Sequence, residues 1–188
     1  MTKIKNNVIT TGLSGKLGKQ IVFRQWSGDT FLAKAPVRNQ KLADNELRTA
    51  VKLRFKKAVV YAKKAIDDAE LKKDYQSKCK VRQNAYNRAV QDFYDVPNVE
   101  EIDLSNYTGE PDSVVRIYAT EDFRVSKVQV RIENQKSEPV ETGFAKQEGN
   151  TNWWRFIATV SNPLSEGGKI IASAYDLPGN ETIKEMTI

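Results

Sequence analysis

The spacing of apolar residues changes at Pro97, and that change limits the fold more than any other feature. Between residues 43 and 94 apolar side chains recur every three or four positions, as on one face of an α-helix. Beyond Pro97 they alternate, as on a half-buried β-strand. A helical middle followed by a strand-rich end reads as α+β. The expected parts are a β-hairpin with a short helical bundle over residues 1–96 and an antiparallel β-sandwich over 98–188.

In the first helix, expected over 43–66, Leu47, Val51, Phe55, Ala58, Ala62 and Ile66 share a face. Leu53 and Val60, seven residues apart, make a second, narrower apolar strip, so this helix should be covered on two sides. Asp44 or Asn45 is its expected N-cap. A second helix should start at Asp67 or Asp68, where a carboxylate suits the N-terminal dipole, and run through Leu71 and Tyr75 to about Cys79. A third should cover about 84–94, with Tyr86, Ala89, Val90 and Phe93 on its apolar side. Asp95-Val96-Pro97-Asn98 then stops it and opens a linker.

Ahead of the helices, 21–26 and 30–34 are β-prone runs joined by Ser27-Gly28-Asp29, a hairpin with a three-residue loop. The glycines of Gly12-Leu13-Ser14-Gly15-Lys16-Leu17-Gly18 invite a phosphate-loop reading. That loop needs four residues between its glycines and Ser or Thr after its Lys, and neither holds, so the segment reads as a turn into the hairpin. After Pro97, strands are expected at 113–119, 125–132, 153–160, 169–175 and 182–188. In 125–132, Val128, Val130 and Ile132 should point inward and Lys127, Gln129 and Arg131 outward. Pro178-Gly179 suits a type II turn.

Histidine is absent and Cys79 is the only cysteine. That removes the usual general base at neutral pH, His-activated nucleophiles, and the ligand sets of zinc, haem and iron–sulfur sites. Carboxylate-only chemistry stays open in principle, and no spacing recommends it. The expectation is no enzyme, with no catalytic residue, cofactor, metal or small-molecule substrate. No apolar run reaches the ~20 residues of a membrane-spanning helix. The early lysines also lack the apolar core of a secretory signal. The expected location is therefore cytoplasmic, with incorporation into a particle as a further option.

Charge divides with the periodicity. Residues 1–96 carry 21 Lys and Arg against 9 Asp and Glu, and residues 97–188 carry 9 against 15. Such surfaces can pair head to tail between copies, dock within one chain, or meet other subunits. The leading expectation is a non-enzymatic structural or interaction protein, a subunit of a multi-protein or phage-derived assembly that binds a protein partner or itself. The alternative is nucleic-acid binding without sequence preference through the basic helices of 43–96, with Lys52, Lys56, Lys63, Lys78, Lys80 and Arg82 on phosphates. Tyr75, Cys79, Tyr86 and Phe93 resemble in spacing the last helix of HMG boxes, though the upstream tryptophan and the apolar wedge of those boxes are missing. A second alternative is carbohydrate binding on the sandwich. Trp153 and Trp154 are adjacent, so one faces outward, where it can stack on a sugar ring or pack under the helices.

Two stretches, Val125-Ser-Lys-Val-Gln-Val-Arg-Ile and Ile170-Ile-Ala-Ser-Ala-Tyr-Asp-Leu-Pro-Gly-Asn-Glu-Thr, resemble bacterial immunoglobulin-like domains. The second includes the Asp-x-x-Gly-Asn segment that joins the last two strands of such domains. The resemblance implies an immunoglobulin-like sandwich for 98–188 and no activity. Taken whole, the chain resembles an uncharacterised bacterial family with the same order of parts. The residues that carry this are Ser14-Gly-Lys-Leu-Gly18, Val22-Phe23 and Asn84-Ala85-Tyr86-Asn87. It implies architecture alone.

Overall fold

The computed structural model describes residues 1–5, 7–37, 46–162 and 166–188. Within them the chain is α+β, with three helices and two antiparallel sheets. It clusters into two compact units, Met1–Leu53 and Arg54–Ile188.

The first unit holds a four-stranded sheet of β1 (Thr2–Ile4), β2 (Gly15–Leu17), β3 (Ile21–Trp26) and β4 (Asp29–Lys34), in the order β1-β4-β3-β2. The hairpin loop is one residue shorter than expected, because Trp26 pairs with Asp29. Ser27 and Gly28 have φ of 50° and 80°, the two positive values that a two-residue type I′ turn demands. Lys3 holds Asp29 in the strand at 2.7 Å. The glycine-rich segment supplies β2, which pairs with β3.

Helix α1 (Glu46–Asp67) carries the boundary between the units, and α2 (Ala69–Ser77) and α3 (Ala85–Asp92) follow it. The Asp68 carboxylate caps α2 by accepting from the backbone N–H of Glu70 and Leu71. Asn84 caps α3 through the N–H of Asn87. Asp44 and Asn45 lie outside the described residues. Only the C-terminal half of the α1 apolar row is buried, at Ala58, Ala62 and Ala65. Leu47, Val51 and Phe55 continue that row into solvent, and Leu53 and Val60 are exposed on the second strip. Among the described residues nothing covers these five positions, so the two-sided cover expected from the pattern is not seen there.

The seven-stranded sheet comprises β5 (Asn98–Asn106), β6 (Val114–Thr120), β7 (Val125–Glu133), β8 (Pro139–Gln147), β9 (Trp153–Ile157), β10 (Lys169–Asp176) and β11 (Glu181–Thr187). Its order is β11-β10-β7-β8-β9-β6-β5. β8 pairs with β7 through Ala145, then with β9 through Lys146 and Gln147, so one strand serves both halves. β5 approaches β10 and β11 from the other side, and Lys184 of β11 donates to the Glu100 carbonyl. The sheet therefore nearly closes into a barrel around Val115, Ile117, Val128, Val130, Ile132 and Ile170. Val128, Val130 and Ile132 face inward as their alternation requires. β5 and β8 were not legible as strands. Glu100-Glu101 in β5 reads as a solvated face, and β8 opens on Pro139 and contains Gly143.

Candidate functional site

The charged residues of α3 define the most unusual environment in the molecule. Arg88 and Asp92 lie one turn apart on its buried face, beside Ala85 and Ala89. A charged pair inside an apolar helical row is costly unless each member finds partners. Asp92 finds Tyr75 of α2, whose hydroxyl donates to its Oδ2 at 2.6 Å. Tyr75 has one proton to give, so the 2.7 Å contact with Tyr61 of α1 must run from Tyr61 to Tyr75. Burial is the largest cause of raised pKa values here: it pushes Tyr61 up to about 12 and Tyr75 higher still.

The other wall is the 121–124 segment between β6 and β7. Arg88 reaches the Asp122 carboxylate at 2.8 Å and its carbonyl at 3.0 Å. Phe123 stacks on Tyr75, with centroids 4.1 Å apart and planes within 15°. Lys78 donates to the Phe123 carbonyl and sits 4.8 Å from its ring centroid. Glu121 is driven by burial, and then by the nearby charges of Asp92, Asp176 and Asp95, up to about 8. Burial also raises Asp92 and Asp176 above the usual carboxylate range.

The Asp-x-x-Gly-Asn turn forms the third side. The Asp176 Oδ1 accepts from the N–H groups of Gly179 and Asn180. The Asn180 amide donates to Asp176 Oδ2 and to the carbonyls of Phe93 and Asp95. The segment expected as a linker is therefore pinned, and Pro97 is fully buried. Residues 54–188 as a unit carry 20 Lys and Arg against 21 Asp and Glu. Much of the basic charge of the helices is thus balanced inside one compact unit.

The six lysine and arginine candidates separate into three groups. Lys52, Lys56 and Lys63 are exposed on α1. Lys78 is engaged with Phe123. Lys80 and Arg82 sit in the turn between α2 and α3, where Arg82 takes a positive φ of 66°. Tyr75 is fully buried, and Tyr86 packs with it in the helical core. Trp154 points inward and Trp153 outward, the latter edge-on to Tyr118 at 5.1 Å with Arg116 over its ring. Among the described residues no group of three His, Cys, Asp or Glu could hold a metal ion, and no helix is long and apolar enough to cross a membrane.

Sequence reasoning missed the cluster. The Arg88–Asp92 spacing within an apolar helical row was the available signal. Compared with known proteins, no family model and no curated protein matches this chain.

Proposed function

We propose that the chain is a non-enzymatic structural protein, a subunit that associates with copies of itself through the first half of α1. The observation that carries this is the continuity of the α1 row: Ala58, Ala62 and Ala65 are buried, while Leu47, Val51 and Phe55 on the same face stay in solvent. A helix that is apolar on two sides, with Leu53 and Val60 exposed on the second, is suited to burial between neighbours in an assembly. An immunoglobulin-like sandwich for residues 98–188 belongs to the same reading. Strands β5-β6-β9-β8 and β7-β10-β11 match in order the four-strand and three-strand sheets of that architecture.

Nucleic-acid binding is the competing reading. What favours it is that Lys52, Lys56 and Lys63 fall within a narrow arc of α1 and are all exposed. Sedimentation of the full chain in low and high salt, with and without duplex DNA, separates the two. Association through apolar side chains gives a mass above the monomer that survives high salt, because screening acts on charges. A monomer that shifts DNA only in low salt would overturn the proposal and move the function to the lysines.

A further inference from the structure

The α3 junction gathers more carboxylates than cations, with Asp92 and Asp176 buried, Asp95 and Glu121 part-buried and Asp122 half exposed. Arg88 is almost fully buried and divides its guanidinium between Asp122 and, at 3.8 Å, Asp95. Among the described residues Asp92 Oδ1 and Glu121 Oε1 are buried with no hydrogen-bond partner, while the other oxygen of each carboxyl accepts one bond, Asp92 Oδ2 from the Tyr75 hydroxyl and Glu121 Oε2 from the N–H of Arg124. An ionised oxygen in that position has given up water and gained no donor, whereas a protonated one carries no charge to solvate. The groups facing this space come from every element around it. They are Tyr61 of α1, Tyr75 and Lys78 of α2, Arg88 and Asp92 of α3, then Asp95, Glu121, Asp122 and Arg124, and Asp176 at the end of β10.

We propose that this junction is a proton-operated latch: with Glu121 protonated it holds α2 and α3 on the 121–124 segment, and ionisation of Glu121 loosens them. Opening lets Glu121 return to water, where its affinity for the proton falls to that of an ordinary carboxyl. The closed form therefore binds the proton more tightly than the open form, and closure is favoured at low pH. Its advantage is complete below about pH 4.5 and is lost as pH rises through about 8. Burial of the carboxyl, and then the neighbouring negative charges of Asp92, Asp176 and Asp95, set that upper limit.

Hydrogen exchange on the full chain, corrected for intrinsic rates, gives the opening constant of the α2 and α3 amides. From pH 6 to 8 it should rise by up to about tenfold per unit and then level off. Glu121→Gln should give a flat profile with α2 and α3 protected throughout. Equal slopes in the two proteins, or no slope in either, would overturn the latch. Should Glu121→Gln fail to fold, Asp95→Asn decides. Removing that neighbouring charge should move the levelling-off to lower pH, and an unmoved profile would overturn the proposal.

Discussion

Arg88 donates to both the side chain and the backbone carbonyl of Asp122, joining α3 to the segment between β6 and β7. The two partners are not equivalent. Arg88 is almost entirely buried, whereas the Asp122 side chain is half exposed. Truncating Arg88 takes the nearby cation from buried Asp92 and leaves the part-exposed Asp95 unpaired, so Arg88→Ala should cost about 3–5 kcal/mol in urea unfolding. Asp122→Asn keeps the carbonyl acceptor and water access and should cost under about 1 kcal/mol.

Phe123 should be the largest single apolar contribution at the same junction. It is buried, stacks on Tyr75 and lies near the charged ends of Lys78, Arg88 and Arg124. Phe123→Ala removes the stack and leaves a cavity, at about 3–5 kcal/mol. Phe123→Tyr should retain most of the stability, and the difference between the two in chemical unfolding checks the assignment.

The turn after β10 depends on two residues for different reasons. Gly179 has φ of 95°, which suits the third position of a type II turn and strains any side chain. Gly179→Ala should lower stability by about 1 kcal/mol through the backbone. Asn180→Ala removes the donor shared by Phe93, Asp95 and Asp176, and should cost about 1–3 kcal/mol. It should also raise proteolytic cleavage around residues 93–97, which Gly179→Ala should not.

Gly143 in β8 is open to a packing test. A Cβ there would fall 2.7 Å from the Phe156 ring, too close for any carbon pair. Gly143→Ala should cost about 1–3 kcal/mol by thermal unfolding, and Phe156→Leu should recover part of the loss by making room.

Secondary structure was legible wherever one physical signal dominated. Asp68 and Asn84 announce their helices, and the alternation around Val128 gives β7 its inward face. β5 and β8 were hidden because acids, Pro139 and Gly143 weaken strand signals that tertiary pairing overrides. The junction was harder still, since Tyr75, Arg88, Glu121 and Asp176 are far apart in sequence and meet only after folding. What the sequence did offer was charge asymmetry, and part of it is settled within residues 54–188 by the contact of Arg88 with Asp122. The apolar row of α1 was equally legible, but only the structure separates its buried half from its exposed half.

Sedimentation equilibrium of the wild-type chain beside Val51→Glu/Phe55→Glu tests the role of that exposed half most directly. Both positions are exposed in the single chain, so the variant should still fold and melt cooperatively, without the added stability that association gives the wild type. The account requires a concentration-dependent mass above the monomer for the wild type and a monomer for the variant. A wild type that stays monomeric at every concentration, or an assembly that the variant leaves intact, would contradict it.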